Sequence, residues 1–244
     1  MLYASDTRLT IVSIHQPNFL PWLGYFNKLL RSDIFILYDD VQFPRGKTVV
    51  NRVLIKTASG PDWITVPVGH RGAMLPIRDA RISADDSWKR KVIRTIETSY
   101  ARAPYLGKYL PGLRSIIEGA DNELWRLNSA LIMWCAQQLE SSARLEYSSA
   151  LCADQSHLSG SDKIHHLLKS TGATVYITGE TVGSQRYLLP EWFHENNIQL
   201  EWQNFHHPRY PQQHGPFAEG LSVIDLLFNC GPTARSIVLG LSSD

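Results

Sequence analysis

Residues 11–40, IVSIHQPNFLPWLGYFNKLLRSDIFILYDD, set out an apolar strand, a turn fenced by prolines, an amphipathic helix and a second apolar strand that ends on paired carboxylates. Ile11 to Ile14 suits a buried strand, and Pro17 and Pro21 confine the turn. Leu23, Phe26, Asn27 and Leu30 then recur at roughly helical spacing before Ile34 to Leu37 resume a strand. A strand-helix-strand unit favours parallel neighbours. His15 and Gln16 then leave the carboxyl end of the first strand, and Asp39 and Asp40 that of the second. That rim is where open α/β sheets bind their ligands.

Working outward, residues 47–57, 62–68 and 76–83 are β-branched and partly alternating, with Gly and Pro between them, and read as short strands. Asp85 or Asp86 caps a helix running to about Ala101, with Trp88, Val92, Ile96 and Tyr100 at helical spacing. LGKYLPGLRSIIEG is read as interrupted, Pro111 opening a second segment, and residues 122–140 form the best helix in the chain. Strand-helix order returns after residue 158, with a strand at Thr174 to Thr178, a Gly-rich loop, a short helix and another strand. An apolar helix follows Leu221 and ends near Gly231. The expected fold is α/β, a mixed and largely parallel sheet built from strand-helix-strand units. The whole chain, 1–244, reads as a single compact domain, with 85–140 as a helical insertion or subdomain.

Composition narrows the function classes. With 24 Lys+Arg against 23 Asp+Glu the chain is nearly neutral, which argues against a non-specific nucleic-acid binder or a polybasic membrane anchor. No apolar run approaches the ~20 residues of a membrane span, and residues 1–10 lack the apolar core of a signal peptide. Cys135, Cys152 and Cys230 are odd in number and scattered, as in a reducing compartment. The expectation is a cytoplasmic protein.

Candidate chemistry gathers around the opening unit. His15 is placed to act as a base, a proton donor or an anion binder beside Gln16, and of Asp39 and Asp40 at most one faces the site, because successive strand residues point to opposite sides. In the next segment Arg45 reaches from a turn, and period-two spacing puts Lys47 and Asn51 on one face, where they would hold phosphate or carboxylate. Loop 179–188, GETVGSQRYL, offers backbone amides and Arg186 to an anion. HHPRYPQQHG places His207 and Tyr210 in a Pro-constrained segment suited to substrate contact; its spacing does not suit a metal. Asp225, on an otherwise apolar helix, is either a brace or a site residue.

IHQPNFLPWLGYFNKLLRSDIFILYDDVQFPRGKTVVNRVLIKT near the start, ATVYITGETVGSQRYL in the middle and HPRYPQQHGPFAEGLSVIDLLFNCG near the end resemble the WbqC-like protein family. The resemblance spans nearly the whole chain. Its most specific blocks are His15, Gln16 and Pro17 with Pro21, Leu23, Gly24 and Tyr25, then Asp39, Asp40 and Val41, and a terminal block from Leu221 to Asn229. Members are typically encoded in bacterial O-antigen and other surface-polysaccharide clusters, which implies work on an activated sugar. The strand-turn-helix opening is also similar to class I nucleotidylyltransferases and pantothenate-synthetase-like ligases. Here, however, Trp22 and Tyr25 stand where that motif has histidines, and only Gly24 matches.

The expected function is a transferase placing an acyl or aminoacyl group on a nucleotide-activated or lipid-linked amino sugar. In it His15 acts as base, Asp39 or Asp40 orients the acceptor, and Arg45, Lys47, Asn51 or Arg186 binds an anionic group. Its partners would be a small activated sugar and an acyl donor or ATP. The rivals are an ATP-dependent amide ligase or nucleotidylyltransferase-like enzyme, and a non-catalytic sugar-nucleotide-binding or assembly subunit using surface aromatics.

Overall fold

In the computed structural model, which describes residues 9–69, 74–155, 157–179, 185 and 187–241, the opening stretch forms β1 (Ile11–His15), α1 (Leu23–Leu30) and β2 (Ile34–Leu37). β1 and β2 are parallel, with Ile14 opposite Ile36 and His15 opposite Leu37. β5 (Arg144–Tyr147) extends the sheet beyond β2, while β6 (Val175–Thr178) lies on the other side of β1 and β7 (Gln199–Trp202) beyond that. All four pairings are parallel, in the order β5-β2-β1-β6-β7. The chain therefore steps one way from β1 through β2 to β5, then returns past β1 to begin β6. Connections leaving β1 and β6 diverge, and a crevice opens outside their carboxyl ends.

Both faces of the sheet are buried, which explains why β2 is apolar throughout and β1 is apolar but for Ser13, which bonds Ser32, and His15 at its end. Val12, Ile14, Ile34 and Ile36 point to one face, packed with Ile164, Leu167 and Leu168 of α6 (Gly160–Ser170) and Phe193 of α7 (Pro190–Glu195). Phe35 and Leu37 point to the other, larger core, shared with Leu23, Phe26 and Leu29 of α1 and with α8 (Val223–Cys230) and α9 (Ala234–Leu239). The same core takes in α2 (Ser87–Ser99), α3 (Leu106–Glu118), α4 (Leu124–Gln138) and the antiparallel hairpin of β3 (Arg52–Thr57) and β4 (Gly60–Thr65). No helix among the described residues is long and apolar enough to cross a membrane.

Four local expectations change. The strand read from residue 47 begins only at Arg52, because the Thr48 side chain bonds the Val50 amide and Thr48 O accepts from Asn51, turning the chain. Residues 76–83 hold a single 3-10 turn, Ile77–Asp79, and isolated bridges; Ile77 and Ala80 enter the core three residues apart, a helical rather than a strand spacing. Pro111 lies inside a continuous α3. Pro111 and Gly107, whose carbonyl it deprives of a partner, are both exposed, so water can replace the missing bond. β5, followed directly by α5 (Ser148–Leu151), was not foreseen; four residues at a sheet edge carry little periodicity.

Candidate active site

The crevice has a volume of about 770 Å³ and is walled by the ends of β1, β2 and β6 and the first turns of α1 and α6. Its β1 wall is set by the turn after His15. Asn128 Nδ2 holds that turn through Pro17 O at 2.8 Å, and Ser222 Oγ holds it through Leu20 O at 2.7 Å. Leu20, at φ 43°, sits in the left-handed region that a buried leucine occupies only when its surroundings impose it. Trp22 closes the turn, its indole lying so near Gly24 that a Cβ there would come within 2.4 Å of the ring.

His15 lines the crevice against the Tyr25 ring, centroids 4.6 Å apart. Its Nδ1 is 3.2 Å from the Gln16 carbonyl, an acceptor, so Nδ1 carries the proton and Nε2 is left as the acceptor nitrogen. Burial, reinforced by the Lys28 ammonium, pulls its pKa down to about 3. The ring is thus neutral at physiological pH. It cannot attract an anion by charge, and it is too weak a base to hold a proton there. Gln16 stands beside it on the same wall.

The two aspartates stand in the turn after β2 and share the Ser148 hydroxyl, but only one of them lines the crevice. Asp39 turns away from the crevice and braces the start of α5, accepting from Ser149 N at 3.0 Å and Ser149 Oγ at 2.7 Å. Asp40 faces the crevice, paired with Lys163 at 2.6 Å, with Ser148 Oγ 2.5 Å from its other oxygen. Lys163 lies over the Tyr38 ring, 5.5 Å from its centroid. A buried pair of this kind fixes the wall and cancels its own charge.

The charge that is not cancelled belongs to Lys28, which sequence reading passed over. Its side chain lies in α1 with only 4% of the residue exposed, and it lines the crevice. Among the described residues, no hydrogen bond or ion pair engages its ammonium. Burial lowers its pKa to about 8, so it remains mostly cationic at neutral pH. Two further lining groups are orphaned: the Tyr25 hydroxyl and Asn18 Oδ1 are buried without partners. Burial raises the Tyr25 phenol well above its ordinary value, keeping it neutral, and pushes Tyr176 on β6 up to about 12. On an amphipathic helix a lysine outside the apolar stripe reads as solvated; the usable signal is that this helix opens beside a strand end, which turns part of its polar face toward the crevice.

Of the remaining predicted residues, those that are described do not converge on this crevice. Arg45 and Lys47 are exposed in the loop after β2, outside its lining, and Asn51 Nδ2 is spent on Val66 O at 2.8 Å. His207 and Tyr210 lie against Phe217 over the larger core. Arg186 lies outside the described residues. Asp225 is a brace, its Oδ2 accepting from Tyr100 at 2.9 Å.

The WbqC-like protein family matches residues 16–237. The uncharacterized protein Rv1507c of Mycobacterium tuberculosis (strain ATCC 25618 / H37Rv) is 34% identical over 227 residues, covering 91% of this chain and 95% of that protein. No solved structure matches the chain. The blocks on which the sequence resemblance rested are those that build the crevice: the turn after His15, the end of β2 and the start of α8 that buttresses the turn. With most of its length matched, the chain belongs to the WbqC-like protein family.

Proposed function

We propose that the protein is a transferase of bacterial surface-polysaccharide biosynthesis, placing an acyl or aminoacyl group on the amine of a nucleotide-activated or lipid-linked amino sugar. The observation that carries this reading is the unpaired Lys28 ammonium inside a switch-point crevice large enough for a sugar and its acyl group. An ammonium largely buried and without a protein counter-ion among the described residues costs stability, and an anionic ligand recovers that cost. The context in which such families are encoded supports the sugar.

In the reaction the sugar amine attacks the acyl carbonyl, a C–N bond forms, and the bond to the leaving group breaks. His15 Nε2 accepts a hydrogen bond from the amine and orients it; the proton the amine loses goes to the departing group, since the depressed His15 ring does not retain it. Asp40, held by Lys163, is the carboxylate on the acceptor side. The test is transfer to a panel of amino-sugar nucleotides from acyl-CoA or aminoacyl donors, followed by mass spectrometry. A new amide is expected, with His15→Ala slower by about tenfold through loss of one orienting hydrogen bond and Lys28→Met raising KM. Absence of turnover with every donor and acceptor would remove the transferase reading. The doubly wound parallel sheet, common to nucleotide-binding folds, favours ATP-dependent ligation as the second reading, and release of AMP or pyrophosphate during amide formation would select it.

A further inference from the structure

We infer that the part of the crevice lined by Tyr25 and Lys28 beside His15 is a subsite for a singly charged carboxylate. The inference deepens the function proposed above and names what its anion-holding end accepts. Three polar groups that line the crevice have no partner among the described residues: the Tyr25 hydroxyl and Asn18 Oδ1, both buried, and the Lys28 ammonium, which reaches the crevice. Lys28 and Tyr25 stand three residues apart on α1, as neighbours on one helix face, and Tyr25 packs on His15. Buried polar groups are almost always satisfied by the protein, so an orphaned hydroxyl beside an unpaired ammonium marks a place where a ligand supplies acceptors, while Asn18 Oδ1, itself an acceptor, takes a donor from elsewhere on the ligand.

The charge balance selects the ligand. Among the described residues the ionised groups lining the crevice are Lys28, Lys163 and Asp40, and the last two neutralise each other. His15, Tyr25, Tyr38 and Tyr176, which face the same space, are neutral at physiological pH. One positive charge remains. A monoanion cancels it, whereas a phosphate dianion would leave a negative charge stranded among aromatic rings. An ammonium and a phenol hydroxyl can both donate to the two oxygens of a carboxylate, with the Asn18 amide beside them.

Binding should therefore depend on a protonated Lys28. Because this lysine titrates near 8 when the crevice is empty, carboxylate affinity should fall about tenfold between pH 7 and pH 9. His15, Tyr25, Tyr38 and Tyr176 stay neutral across that interval.

The experiment is calorimetric titration of the full chain with N-acetylglycine and D-glucuronate, with inorganic phosphate at pH 8 and with UDP-N-acetylglucosamine. It is repeated on Lys28→Met and Tyr25→Phe. Carboxylate binding that weakens at least tenfold in either variant and falls from pH 7 to pH 9 is expected, while both variants unfold at the same or higher denaturant concentration than the parent because a buried unpaired group has been removed. A merely structural role for these groups would instead lower stability. Carboxylate binding indifferent to both substitutions, or phosphate dianion bound more tightly than either carboxylate, overturns the subsite. UDP-N-acetylglucosamine binding with no response to carboxylates overturns it too, and leaves the transferase reading standing. Carboxylate binding as expected with no transfer activity removes the transferase reading and keeps the subsite.

Discussion

Among single residues, Asp225 shows how the same physics that poises Lys28 acts where no ligand is involved. Its carboxylate is buried between Tyr100 and Asn229, and burial raises its pKa from 3.8 to about 6. The folded protein thus holds this proton more tightly than the unfolded chain, so the stabilisation is complete below pH 4 and is lost as the pH rises through 6. A shift of this size amounts to roughly 2–3 kcal/mol. Asp225→Asn keeps an acceptor for the Tyr100 hydroxyl and removes the titration. The stability difference between parent and variant, measured by urea unfolding from pH 4 to 7, should move against the parent by about that amount; parallel profiles would remove Asp225 as the cause. His15, Gln16 and Asp40 were legible in the sequence because a strand end announces itself locally. Lys28, Asn18 and Tyr25 were not, because what makes them a site is a wall supplied by β6 and α6, far along the chain.

At the scale of elements, periodicity was most reliable where one segment packs against a layer on each side. β1, α1, β2, α4 and α8 lie close to where their apolar spacing put them. It failed where tertiary context replaced local preference: β5 exists because β2 offers it a free edge, and α3 continues through Pro111 because both the proline and the carbonyl it leaves unpaired are exposed. The second failure can be measured. Pro111→Ala restores an amide donor to the Gly107 carbonyl and lifts the ring clash without touching the core, so it should stabilise the protein by about 1–3 kcal/mol in chemical denaturation. A neutral or destabilising result would mean that α3 bends at Pro111 in a way its packing on α2 and α4 requires. The Arg114 ion pairs, to Glu97 on α2 and to Glu118 on its own helix, are solvent-exposed and contribute little.

Across the whole molecule, the beginning and the end of the chain build one site. The turn after His15 carries the crevice's β1 wall, yet its conformation is imposed from the start of α8: Ser222 Oγ bonds Leu20 O, Val223 N bonds Pro21 O at 2.9 Å, and Trp22 bridges to Ser222. This pairing gives two of the three most specific sequence blocks, the first and the last, a physical reason to occur together. It also explains why the site was only half visible in the sequence, where the two blocks are separate and neither shows the contact. Ser222→Ala removes the bond that holds Leu20 in its left-handed conformation, together with the hydroxyl that caps α8. The loss should be about 1–2 kcal/mol of stability. Because Gln16, Asn18 and Trp22 ride on the released turn, ligand affinity in the crevice should fall as well. Tyr100→Phe is the control. It deletes an equally buried hydroxyl, the partner of Asp225, and should cost comparable stability without altering the crevice. Equal affinity losses in both variants would show that binding merely follows global stability. A loss confined to Ser222→Ala is what a site held by its own C-terminal helix requires.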